Sequence, residues 1–580
     1  MNKKILLAEI LLAFLLVLGF RYRNSDESPL PKLVNRQQAY QSRLVIHCSP
    51  DWSQINADSL AAGISPLPGI GNYQWKINSP SDSAAFYFNQ GINLYYAFHI
   101  IESMASFKKA EKFDDSNAMI YWGEALAYGP NINDFQYAAA PDAFAAAQKA
   151  LSLSANNSKR EKALIKAMAV RYSLDSTGSQ SSLNKLYTSK MQAAYKEFSA
   201  DNDVAVLYAD AMMIEHPWDY WKHDGAAQPW TPAIITVLEK ELKQSPNHPG
   251  ANHYYIHMVE ASPNPGRAMA SANRLGSLMP GVSHVVHMPS HIYIRTGNYS
   301  QGTAVNEEAV KGYQRYLALY PDVANNSPLY LIHNIHMQTA NAMMMGNYAY
   351  SIRSAVDAQK SFDSSFNSFP APMGNFVQYV YMSPVFVMVR YGKWKDILDH
   401  PAVPDNYVYA NAIWHWARGL AFADAGNMPA AKKELGLLRE KMKHPDMAVV
   451  FTPFNSPLSA AKVAENILMG RLAEKNHDLK NAVRYFETAV KDEDSLIYNE
   501  PRDWLLPARE YLGNVLLNTN PAQAEKIFRE DLQQSPNNIW SAFGLYQSLQ
   551  KQRKYAESEQ KIKFGKLMTG SDTELKSPVF

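Results

Sequence analysis

From residue 84 onward, small and aromatic residues return at fixed separations. In YFNQGINLYYAFHIIESMASFKKAEKFDDSNAMIYWGEALAYG, Gly91 is followed by Phe107 after 16 residues, Ala110 after 19 and Ala125 after 34. A period in this range means a unit that cannot bury its apolar face alone and must stack on copies of itself. The turns mark the copies: TGNYSQGTAVNEEA at Gly297, MGNYAYSIRSAVDA at Gly346, YGKWKDI at Gly392 and AGNMPAAKKEL at Gly426. Later units run over 463–494 (Gly470, Ala482, Phe486, Ala489) and about 505–536 (Ala524, Phe528, Pro536), with a last hairpin near 540–570.

This pattern resembles the tetratricopeptide (TPR) repeat, a 34-residue helical hairpin with a small residue at position eight and an aromatic at twenty-four. The resemblance covers most of 84–570 and implies an all-α fold, a TPR-like helical-hairpin superhelix or alpha-solenoid. Spacing departs from the ideal. Gly297 and Gly346 lie 49 residues apart, and WDYWKHDGAAQPW, Trp218 to Trp230, reads as an insertion. The chain is also similar to a group of large exported bacterial TPR proteins with His-rich central helices, in phrases such as NHPGANHYYIHMVEASPNP and HMPSHIYIRTGNY. That resemblance implies a shared central site but no activity. A TPR fold implies a concave groove that binds peptides or proteins, and fold is not function.

The N-terminus, MNKKILLAEILLAFLLVLGFRYRNSDES, has the charge and hydrophobicity of an export signal. Residues 1–22 are expected to be a signal peptide or a membrane anchor, 23–80 an irregular extension laid over the body, and 81–580 the repeat domain. The expected location is the periplasm or cell envelope. The single cysteine, Cys48, excludes an internal disulfide and cysteine-rich metal sites. A formal net charge of +2 gives no field that would gather nucleic acid, and no nucleic-acid partner is expected.

Seven of the sixteen histidines fall between His253 and His336, in a His-rich centre spanning 248–340. With Gly297 taken as repeat position fifteen, His284, His287 and His291 occupy positions two, five and nine. Gly346 then puts His333 and His336 at two and five. In the preceding unit His253 and His257 are at five and nine, with Glu260 at twelve. At 100° per residue these positions form one stripe on the helix, which in TPR proteins resembles the groove-lining face. One layer of position-five imidazoles, His253, His287 and His336, is expected, with His257 and His291 one turn further on and His284 and His333 one turn the other way. Each histidine taken singly can be a satisfied core residue. Seven in register are hard to pair without an ion or a polar ligand.

The cofactor expected is a transition metal, zinc, copper or iron, with haem a lesser reading. Met258, Met288 and Met337 each follow a histidine but point 100° away from it, towards the neighbouring helix. Pro289 either bends the His-bearing helix or begins its regular part. Glu260 is the candidate general base. Arg295 is a candidate substrate anchor, and Asn131 and Asn133, beside Asp134 in GPNINDF, are candidate ligand contacts. In EPRDWLLPARE the residues Glu500, Arg502, Trp504 and Arg509 read as an interface salt-bridge set. Two functions stay open. One is an exported metal-dependent enzyme acting on a small molecule or peptide in the groove. The other is a non-catalytic scaffold for a protein or peptide partner, with structural histidines.

Overall fold

The structure, a computed structural model, describes residues 52, 55–133, 141–174, 179–319, 328–362, 369–451, 454–554 and 556–580. Among these residues there is no strand, only an isolated bridge between Trp221 and Ala227. Consecutive helices pair as hairpins along the chain: Asp82–Tyr96 with Ile100–Glu111, Ala118–Tyr128 with Pro141–Leu153, and onward to Ile539–Lys551 with Glu557–Leu567. Each hairpin packs on the next, which makes the architecture a superhelix of TPR-like units.

The residues that set the period also set the packing. Phe107 lies between two helices at the only places without a side chain. A Cβ on Gly91 or Gly123 would come within 2.7 or 2.5 Å of its ring. Phe486 faces Gly470 in the same way, and Phe528 is held between Gly513 and Gly544. The glycine turns, three of them Gly-Asn and the one at Gly392 Gly-Lys, have an equally local cause. Gly297, Gly346, Gly392 and Gly426 take φ of 76°, 71°, 60° and 75°, the left-handed helix stop that favours glycine. The asparagine that follows can then start the next helix: Asn347 Oδ1 accepts from Tyr350 N at 2.9 Å, and Asn427 Oδ1 from Ala430 N at 3.2 Å.

Two segments fix the centre from outside. The described part of the N-terminal extension, 52 and 55–80, carries a short helix, Ala57–Gly63, and lies on the repeats. Gly281 N donates to Gly69 O at 2.8 Å, Tyr73 Oη donates to Asp203 at 2.6 Å, and Trp75 is buried against Trp122. From the other side the C-terminal hairpins lean back on the central turns. Asn537 Nδ2 donates to Gly297 O at 3.3 Å, Trp540 Nε1 to Met343 O at 2.9 Å, and Asp572 caps the amides of Tyr348 and Ala349. Among the described residues no helix is long and apolar enough to cross a membrane. The 1–22 segment lies outside the described residues.

Candidate metal centre

The helices Pro249–Val259, Ser283–His287, Pro289–Thr296 and Pro328–Met344 present imidazoles to one buried interior. Pro289 begins a helix, so the first helix of this unit comes in two pieces, yet His287 and His291 still share a face. What each ring does is fixed through Nδ1. His253 Nδ1 donates to the Tyr96 carbonyl at 2.6 Å, and His257 Nδ1 to Glu260 Oε1 at 2.8 Å. His287 Nδ1 donates to Asn306 Oδ1 at 2.7 Å, while the Asn306 amide nitrogen donates to Gly302 O, so the oxygen faces the ring. His291 Nδ1 donates to Glu260 Oε2 at 2.6 Å and to Glu500 Oε2 at 3.0 Å. In all four rings the proton on Nδ1 is committed; in His253, His257 and His287 this leaves Nε2 with a lone pair directed inward, while His291, held protonated, also carries a proton on Nε2 that a bound ion would have to displace. Outer carboxylates and carbonyls hold metal-ligating histidines in this way.

The inward nitrogens gather in two triads. His253, His257 and His284 each offer one nitrogen within 4.8 Å of the others, and so do His287, His291 and His333. Within them His253 Nε2 and His284 Nε2 are 3.2 Å apart, and His287 Nε2 and His291 Nε2 are 2.7 Å apart. In the second pair the protonated His291 donates its Nε2 proton to His287, while in the first, between two neutral rings, two lone pairs repel unless a proton or a cation lies between them. Two ligands of a tetrahedral ion with bonds of about 2.05 Å sit roughly 3.3 Å apart, close to the first of these distances. His257 Nε2 and His284 Nδ1 are buried without a hydrogen-bond partner, a cost of about 1–3 kcal/mol each when nothing else engages them. Glu260, fully buried, ties the triads together with both oxygens and also accepts from Tyr498 Oη at 3.0 Å.

Burial favours the neutral, ligating form of these rings. It lowers His257 and His333 to about 3, and holds His253, His284 and His287 well below the usual histidine range, with neighbouring imidazoles adding to the effect. His291 is the exception. Burial acts downward there too, but Glu500 and Glu260 outweigh it and raise the ring to about 10. Burial, reinforced by Glu260, pushes Glu500 up to about 7. Aromatic rings close the pocket: Phe98, at φ 58°, lies over His253 at 4.5 Å, and Trp218 meets His257 edge-on at 5.3 Å. Glu500 and Tyr498 separate the histidines from a cleft of about 460 Å³ that Arg295 and Arg502 also line.

No protein-family model matches the sequence, and no curated protein matches it. Solved structures give distant likenesses. The human IFIT1 dimer with m7Gppp-AAAA is 11% identical with a TM-score of 0.31, over 93% of this chain and 96% of that one. Yeast Tom70 is 10% identical with a TM-score of 0.29, over 84% and 92%. The TPR domain of P58(IPK) is 12% identical with a TM-score of 0.17, over 67% and 99%. At these values the likeness decides neither fold nor function; the helix pairing and the Gly–Phe packing decide the fold. The chain is a TPR-like helical-repeat protein.

Within that TPR-like frame the predicted residues fall out unevenly. Six of the seven histidines enter the triads, but not in layers of equal repeat position. Successive first helices are staggered, so position two of one meets positions five and nine of the helix before it. His336 enters neither triad: its ring packs on Tyr379 at 5.0 Å. Arg295 holds backbone carbonyls, Glu260 O at 3.1 Å and Ser262 O at 3.2 Å, and stacks over Tyr498. Asn131 closes its own turn by accepting from Asn133 N at 2.8 Å, and Asn133 Oδ1 takes the Trp218 indole at 3.0 Å, buttressing the Trp218 ring against His257. Asp134 lies outside the described residues. Met258, Met288 and Met337 are fully buried. Arg502 and Arg509 pair with Glu493 and Asp494 as an interface set, but Glu500 leaves that set for His291. Glu500, Tyr498 and Phe98 carry no repeat-register signal, and only the folding back of distant hairpins shows them.

Proposed function

We propose that this TPR-like protein holds a first-row transition metal, zinc, copper or iron, in its central histidine cluster and uses it on a small polar molecule. The observation that carries the reading is the common tautomer. Four rings give their Nδ1 protons outward to Tyr96, Glu260, Asn306 and Glu500, and three of them, His253, His257 and His287, keep Nε2 lone pairs facing inward. A merely structural histidine needs one satisfied nitrogen, not a shared interior of unpaired ones. An ion there acts as a Lewis acid towards a molecule arriving from the cleft. Glu500, between the cleft and His291 and with Oε1 unpartnered, is the residue best placed to take or give a proton, with Arg295 and Arg502 lining the approach. Glu260 keeps both oxygens on the histidines, so its role in this reading is to position them.

The scaffold reading has less room. At the histidines the groove is occupied by this chain's own Tyr498–Glu500 segment, where an extended peptide would lie. The test is metal content. Full-length protein exposed separately to Zn2+, Cu2+ and Fe2+, then desalted, is expected to retain at least one of them. A variant with His253, His257, His287 and His291 all changed to Ala is expected to lose it. Retention of none of the three by the folded wild-type chain overturns the proposal.

A further inference from the structure

The geometry points to a centre of two ions rather than one, a step that rests on the metal reading above. The repeat itself supplies the argument. His253 and His257 recur as His287 and His291 after one 34-residue period. The third member, His284, recurs as His333 after 49 residues, the same offset that separates the Gly297 and Gly346 turns. Each triad is thus built by one rule: positions five and nine of a first helix plus position two of the next. Translation by one repeat copies the whole ligand set, not single residues.

The rule also stops at both ends. One unit further on, His336 stands at position five, but position nine is Ala340, so no third triad forms. One unit earlier, position two is Gly250, where a Cβ would meet Tyr96 at 2.5 Å. Two complete sets therefore lie side by side. Their rings approach to 5.8 Å between His257 and His291 and 5.9 Å between His284 and His287. Glu260 has no counterpart, because position twelve of the next unit is Ile294. It serves both sets, fixing His257 with Oε1 and His291 with Oε2.

Six imidazoles in two sets of three suit a pair of ions that prefer nitrogen, copper or zinc. Two ions held by adjacent sets can act on one small ligand from both sides. The side open for it is that of Glu500, whose Oε2 lies 3.0 Å from His291 Nδ1 and 4.0 Å from His333 Nε2, while Oε1 is buried and unpartnered.

Loading the full chain with excess Zn2+ in one arm and Cu2+ in the other, followed by desalting and elemental analysis, tests this. The expected result is two ions per chain in at least one arm, falling to one in His284→Asn and one in His333→Asn, with His336→Asn unchanged at two. One ion per chain in the wild type overturns the pair but leaves the metal reading standing; no ion in either arm overturns the pair, and the metal reading falls with it when Fe2+ is not retained either. Because a variant can misfold, the wild type gives a second readout. In the copper arm, coupling between neighbouring Cu2+ ions is expected to remove most of the EPR signal relative to total copper. A full signal at two coppers per chain means separate sites and overturns the pair.

Discussion

At the scale of single residues, Glu260 has an unusual load. One fully buried carboxylate sets the tautomers of two histidines in different helices and takes the Tyr498 hydroxyl as well. In Glu260→Gln one oxygen becomes an amide nitrogen, which cannot accept from a histidine Nδ1–H, so one ring loses its anchor. Loss of such an outer partner typically weakens metal affinity about 10–100-fold, and competition with a coloured chelator is expected to report a drop of that order. Asp210 gives a test that does not involve metal. It is 1% exposed, accepts from Tyr95 Oη at 2.7 Å, and burial holds its carboxyl up at about 6 against Tyr95 and Arg171, which act downward. The folded chain therefore keeps a proton that the unfolded chain releases near the ordinary aspartate value. The resulting stability is whole below about pH 4 and is lost as pH rises through 6, roughly 3 kcal/mol in all. Asp210→Asn mimics the protonated form. Urea unfolding of the variant is expected to lack that decline between pH 4 and 7, and an unchanged slope would count against a raised Asp210.

At the scale of helices and hairpins, the sequence exposes whatever is local and periodic. Gly91, Phe107, Gly470, Phe486 and Phe528 announce themselves because a ring against a bare backbone admits few substitutes, and the same contacts appear in the fold. Gly297 and Gly346 are readable because a left-handed stop needs glycine. Residues meeting across the superhelix are not readable. Nothing local to Glu500 separates it from Arg502 or Arg509, and nothing in the repeat register predicts that Phe98 covers His253. The stagger that combines positions five and nine with position two is likewise a property of stacking. Phe107 itself packs only on helices of its own and the next hairpin, so the damage from its removal should stay nearby. Phe107→Ala leaves a void between Gly91 and Gly123, a loss of about 3–5 kcal/mol. Hydrogen exchange is expected to speed up across Asp82–Tyr128 while Ala508–Lys551 keeps its protection. Uniform loosening of both regions would mean that the array unfolds as one unit.

At the scale of the whole molecule, the histidine cluster is closed by contacts more than 200 residues apart in the chain. Tyr498 reaches Glu260, and the Gly297 turn sits directly under Pro536 and Asn537. A Cβ on Gly297 would stand 2.1 Å from the Pro536 carbonyl oxygen, in addition to the strain of φ 76°. Gly426 isolates that second term, since it has φ 75° with nothing within 4 Å of an added Cβ. Gly426→Ala should therefore cost only the left-handed penalty, about 1–2 kcal/mol, and leave the cluster sealed. Gly297→Ala carries the same penalty and also pushes the C-terminal hairpins off the central turns, opening the interface that holds Tyr498 and Glu500 over the imidazoles. Modification by diethyl pyrocarbonate, followed by peptide mapping, reads this without any metal. His253, His257, His284, His287 and His291 are expected to stay unreactive in the wild type and in Gly426→Ala, and to react in Gly297→Ala. If both variants protect these rings equally, the closure does not pass through the Gly297 turn, and the seal over the cluster must come from Phe98 and Trp218 on its other sides.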